Sequence, residues 1–225
     1  MLIISATDYC KDGNLPSPTG NTGPDLAKEK CMSIELEQTP ALVVIDLQSG
    51  ILGQPAAHPL DRIIDNSARL AAAFRARGLP VVLVNVEGTA PGRTERGKAS
   101  GRSGARTLPA PATVLLPQLN RQPSDITVTK RSVGAFLSTD LDAKLKEAGA
   151  TQIVLTSVST TSGVEATARV EATARSAYDL GYHVAFVTDA MTDVAEPHNA
   201  SMAYQFPKLG ELGTTAEVLA LLASL

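Results

Sequence analysis

The chain has 225 residues, 44% hydrophobic and 19% charged, and its 20 Lys and Arg against 23 Asp and Glu leave a net charge of −3. This is ordinary globular composition, enough for one domain with a real core, and the acidic balance excludes nucleic acid as the main partner. No apolar run nears the roughly 20 residues that cross a bilayer, and the start MLIISATDYCKDGN lacks the features of a signal peptide, so a cytoplasmic, non-membrane protein is expected.

Residues 1–33 are rich in Gly, Pro, Asn, Ser and Asp without helical or strand periodicity, and read as a disordered extension ahead of a domain at 34–225. Both cysteines, Cys10 and Cys31, lie in that extension, so the domain has neither a disulfide nor a thiol nucleophile.

Strands and helices then alternate. ALVVID (41–46) is a continuous apolar run ending in a carboxylate, and residues 60–77 carry apolar positions at helical spacing and stop at Gly78. PVVLVNV (80–86) is a second buried strand, followed by a loop over 87–113 full of Gly, Pro and Arg. ITVT (126–129) is a third strand, before a helix over 139–148 capped by Thr139 and ended by Gly149. QIVLTSV (152–158) is a fourth strand, followed by a helix to Leu180, and HVAFVTDA (183–190) is a fifth. The tail reads as a helix near 198–205, a turn LGELG and a last helix from Thr214 or Thr215. Runs of Val, Ile and Leu buried on both faces and separated by helices predict a three-layer α/β/α fold with a mostly parallel, Rossmann-like sheet.

Residues 164–169 and 170–175 both read VEATAR. Six residues advance a helix by about 600°, so a second copy turns everything beyond it roughly 120° off its face. Either the helix runs on, one copy bulges out, or the packing shifts. A tolerated duplication on the surface is the plain reading, and a device beside the site is the other.

In parallel sheets, ligands bind outside the carboxyl ends of the strands. Those ends carry Asp46, then Asn85 and Glu87, then Lys130, then Ser159, Thr160 and Gly163, and last Asp189. A carboxylate beside an ammonium in a partly dry pocket can exchange a proton without a metal, which singles out Asp46 and Lys130. Taken alone, Asp46 could cap a turn and Lys130 could be a solvated strand-end charge. The 87–113 loop holds Arg93, Arg96, Lys98, Arg102 and Arg106, a cationic excess suited to a carboxylate-bearing substrate, with Arg93 nearest the strand end. His58, His183 and His198 are scattered without ligand spacing, so no metal is expected.

The segments ALVVIDLQ, TKRSVGAFLSTDLD and LTSVSTTSGVEATAR leading to AYDLGYHVAFVTDAMTD resemble the isochorismatase-like hydrolase superfamily over about residues 40–225. The resemblance implies a Rossmann-like domain, a small-molecule substrate, no cofactor and a homo-oligomer. Its amidase branch uses an Asp–Lys–Cys triad, whose first two members fall on Asp46 and Lys130 while Gly163 stands at the thiol position. Glycine cannot attack a carbonyl, so a thioester route is closed. Nicotinamidases of this family bind metal through an Asp-x-His pattern that this sequence lacks. Glycine at this position is what the true isochorismatases show: they protonate a vinyl ether from the aspartate and then add water. By this resemblance Asp46 is the general acid, Lys130 pairs with it, and Ser159, Thr160, Arg93 and Gln48 are substrate-binding candidates. A catalytically silent small-molecule-binding or oligomeric protein of the same fold is the competing reading. A serine- or threonine-dependent amidase is a third.

Overall fold

The computed structural model describes residues 34–225 apart from 52–55, 90, 91, 94, 100, 102, 103 and 159–166. The proposed extension at 1–33 lies outside the described residues, and Ile34–Leu225 is one compact unit.

Six strands form one sheet. They are β1 (Pro40–Ile45), β2 (Val81–Val86), β5 (Ile126–Lys130), β6 (Gln152–Val158), β7 (His183–Thr192) and β8 (Glu211–Gly213), in the order β5-β2-β1-β6-β7-β8 with every pairing parallel. The helices are α1 (Leu60–Ala76), α2 (Glu95–Ala99), α3 (Leu141–Glu147), α4 (Thr167–Asp179), α5 (Ala195–Ala200) and α6 (Thr215–Ser224). The expected three-layer α/β/α fold is present.

The period of two along each strand divides the core. Leu42 and Val44 of β1 face a cluster with Ile63, Leu70 and Phe74 of α1 and Val218 and Leu222 of α6. Ala41, Val43 and Ile45 face the opposite cluster, with Leu141 and Leu145 of α3 and Ala174 and Ala177 of α4. Each buried Val, Leu or Ile contributes roughly 1.5–3 kcal/mol of hydrophobic stabilisation.

Several boundaries differ from the sequence reading. The 87–113 segment is not all loop: β3 (Gly88–Thr89) pairs antiparallel with β4 (Arg106–Thr107), and α2 lies between them. LGELG is not a simple turn, because Glu211–Gly213 adds β8 alongside Ala185–Val187. Gly210 permits that approach, since a Cβ there would collide with the Val184 carbonyl oxygen. The helix after β7 divides into α5 and a π-turn over Ser201–Gln205. The last helix starts as predicted, with a capping box between Thr214 and Glu217.

The chain runs outward from β1 through β2 to β5, then returns to β6 on the other side of β1. The carboxyl ends of β1 and β6 therefore flank the topological switch point, where such folds open a crevice.

Candidate functional site

β1 ends at Ile45, and the next residue leaves the strand in the left-handed region: Asp46 has φ of 59°. Asp tolerates this conformation better than most residues, at a cost of about 1–3 kcal/mol when the surroundings enforce it. The turn is enforced: the Asp46 N–H donates to Val84 O at 2.8 Å, and the Gln48 N–H donates to Asp46 O at 2.9 Å. The Ser157 hydroxyl donates to Ile45 O at 3.2 Å, tying the end of β6 to the same point.

Lys130 is the last residue of β5, in register with Val86 of β2. Strands lie about 4.8 Å apart, so its side chain must pass the end of β2 to reach Asp46. It does so, placing Nζ 3.1 Å from Asp46 Oδ2 with both side chains fully buried. Nζ also donates to Val133 O at 3.1 Å and Ser132 O at 3.4 Å, which accounts for an ammonium's three donors. Neither plain alternative survives. Lys130 is not a solvated strand-end charge, and the Asp46 carboxylate faces cations rather than capping a turn.

The third member of the cluster is Arg169, which the sequence reading did not single out. It stands in the first turn of α4, and its Nη1 donates to Asp46 Oδ2 at 2.8 Å. Its side chain is 9% exposed against 0% for Asp46, so it forms the outer edge of the group. Asp46 Oδ2 thus receives both cations, while Asp46 Oδ1 is buried with no hydrogen-bond partner among the described residues. Two cations meet one carboxylate. Burial, with the Arg169 charge adding to it, pushes the Lys130 ammonium below its usual range against the pull of Asp46.

The other candidates are placed differently. Ser159, Thr160 and Gly163 lie outside the described residues. Gln48 is buried, but its amide is committed: Nε2 donates to Val86 O at 3.0 Å and Ala112 O at 2.8 Å, and Oε1 accepts from the Val86 N–H at 2.8 Å. It clamps the ends of β1 and β2 to the following loop and offers no free N–H to a ligand. Arg93 is exposed, and among the described residues no hydrogen bond or ion pair joins it to Asp46 or Lys130. Glu87 pairs at 3.2 Å with Arg131. Asn85 accepts from the Thr129 hydroxyl and donates to Thr113 O. Asp189 accepts from the Thr215 N–H and hydroxyl at the start of α6 and caps that helix.

Two histidines read as scattered come together. The rings of His58 and His198 meet edge-on with centroids 5.2 Å apart. Burial, with His58 beside it, pushes the His198 imidazole down to about 4, against an opposing pull from Asp193.

This fold, with a carboxylate at the end of the first strand and a lysine reaching it from the edge strand, can be compared with known proteins. The sequence signature of the isochorismatase domain matches residues 40–217. The chain belongs to the isochorismatase family. It is 38% identical over 187 residues to the uncharacterized isochorismatase family protein YecD of Escherichia coli O157:H7, covering 81% of this chain and 95% of that protein. It is 36% identical over 194 residues to the uncharacterized isochorismatase family protein YwoC of Bacillus subtilis, covering 84% and 96%. Among solved structures, an isochorismatase family protein from Burkholderia thailandensis superposes with a TM-score of 0.68 at 36% identity, covering 84% of this chain and 98% of that one.

Proposed function

We propose that this isochorismatase-family protein is a hydrolase of a small anionic substrate, using Asp46 for proton transfer and no thiol nucleophile. The observation that carries the reading is the division of labour on Asp46. Lys130 and Arg169 hold Oδ2, while Oδ1 has no partner among the described residues and is the atom able to exchange a proton with a ligand. Residues 34–225 contain no cysteine, which supports a route without a thioester.

On an enol ether the steps balance as follows. Protonated Asp46 Oδ1 delivers its proton to the terminal vinyl carbon, giving an oxocarbenium ion. Water adds to that cation and returns a proton to Asp46, and the hemiketal collapses to a ketone and an alcohol. Proton transfer from a positioned side chain contributes typically 10²–10⁴-fold in rate. Lys130 orients the carboxyl and favours the anionic substrate. Ser159 and Thr160, which follow β6 in the sequence, are the proposed substrate contacts, with Arg93 as a further one. Homo-oligomeric assembly and a cytoplasmic location belong to the same reading.

A second reading, a catalytically silent binding protein, is favoured by one observation: Arg169 also rests on Asp46, and a carboxylate paired with two cations must surrender favourable contacts to carry a proton. The two readings separate on the hydrolysis of isochorismate and a small panel of amides. Turnover of the enol ether that is lost in Asp46→Asn supports acid catalysis. Failure of well-folded protein to turn over any of them supports the silent reading. Unchanged apparent affinity in Arg93→Ala removes that residue from the site.

A further inference from the structure

The tandem repeat and Arg169 are one feature. The second copy of VEATAR is fixed by packing. Val170 and Ala174 are buried in the core beneath α4. The Thr173 hydroxyl, fully buried, accepts from the Ala135 N–H at 3.0 Å and donates to Arg169 O at 2.7 Å. A Cβ on Gly134 would stand 3.2 Å from the Ala172 carbonyl, so the segment after β5 lies directly against the second copy. Arg175 points outward, pairing with Glu171 at 2.7 Å and reaching Gln205 at 3.2 Å. Beyond it, Ala177 and Tyr182 are buried on the way into β7.

The chain from Val170 onward is therefore held in place through the second copy. In a chain with a single copy, the residue that precedes VEATARSAYDL is Gly163; here it is Arg169. Deletion of either copy yields the same sequence. The duplication has put an arginine, in contact with Asp46, at the sequence position immediately before VEATARSAYDL that a single-copy chain gives to a glycine.

An arginine there changes what the site can hold. With Lys130 and Arg169 around one carboxylate, the buried group carries more cations than anions. A guanidinium presents five N–H donors in a planar fork, and the bond to Asp46 accounts for one of them. Arg169 is also the member of the group with accessible surface. A planar oxyanion is the ligand that matches both the surplus charge and the fork. We infer that Arg169, introduced by the repeat, is the specificity-determining residue of this site and binds the carboxylate of the ligand beside Asp46. The inference rests on the Asp46 site being the substrate site, and it names the group that selects the substrate class.

The test compares two small carboxylates, formate and benzoate, with their neutral amides, formamide and benzamide. Thermal shift at constant ionic strength and calorimetric titration are measured on the full chain, on Arg169→Gln, on Arg169→Lys and on the chain lacking 164–169. The full chain should bind at least one carboxylate in preference to its amide. Arg169→Gln and the single-copy chain should bind that carboxylate at least tenfold more weakly with amide binding unmoved, and Arg169→Lys should fall between. If the single-copy chain fails to fold, Arg169→Gln decides alone. Equal carboxylate binding by the full chain and Arg169→Gln, or no carboxylate preference in the full chain, overturns the inference. Failure of the acid mechanism looks different: isochorismate is not turned over, yet carboxylate binding still depends on Arg169.

Discussion

Replacing the two fully buried ionic residues of the site should have unequal consequences for stability. At the effective dielectric that describes protein sites, contacts of about 3 Å are each worth roughly 5 kcal/mol of gross attraction, against several kcal/mol of desolvation per ion. Lys130→Met keeps the buried stem, removes an ammonium that is desolvated and repelled by Arg169, and leaves the Asp46–Arg169 pair at 2.8 Å balanced. Its loss is mainly a donor for the Val133 and Ser132 carbonyls, about 1–2 kcal/mol. Asp46→Asn leaves two buried cations facing each other without a counter-charge, a loss of roughly 3–5 kcal/mol. Asn tolerates positive φ as Asp does, so backbone strain does not confuse the comparison. Urea unfolding at pH 7.5 measures both. The pH dependence adds a check: the folded state binds the Lys130 proton less tightly than the unfolded chain, so wild-type stability should rise as pH climbs toward 10.5, relative to Lys130→Met. A Lys130→Met variant as unstable as Asp46→Asn would refute this charge accounting.

Three further outcomes follow from single residues. His198 is held down to about 4 from 6.5, so the unfolded chain binds its proton first; that stability is complete above pH 6.5 and is lost as pH falls toward 4, by about 3 kcal/mol in all. The melting temperature of wild type should therefore drop more steeply between pH 7 and 5 than that of His198→Gln. Gly210→Ala should cost about 2 kcal/mol or more in chemical denaturation, because the new methyl meets the Val184 carbonyl and must push β8 away. Thr214→Ala removes one side of the capping box on α6 and should cost about 1 kcal/mol by the same assay.

The main strands were legible because each is a short apolar run buried on both faces, a pattern that marks a central parallel strand. β8 was not, since three residues carry no period and their pairing depends on the close approach of Gly210 to Val184. β3 and β4 were hidden for the same reason, two residues each inside a Gly- and Arg-rich stretch. Asp46 and Lys130 could be found as charges at the ends of apolar strands. Arg169 could not be found from residue type alone. The repeat showed that a register had changed, but only packing shows which copy is held against the sheet, through Thr173 and Ala174. The available signal was the residue immediately before the copy that continues into SAYDLGY. Gln48 was a substrate-binding candidate by resemblance, whereas its amide spans two strand ends and a loop, a long-range arrangement the sequence does not encode locally. The contact between His58 and His198 is likewise made by the fold across distant positions.

Asp46-dependent, thiol-independent hydrolysis is the central claim for this site. The most direct measurement is isochorismate turnover per folded molecule in a chain carrying Cys10→Ser and Cys31→Ser, with and without Asp46→Asn, at a temperature where circular dichroism shows both folded. The account predicts turnover that survives loss of the cysteines and falls at least a hundredfold with Asp46→Asn. Turnover that disappears with the cysteines, or that persists without the Asp46 carboxylate, would contradict it.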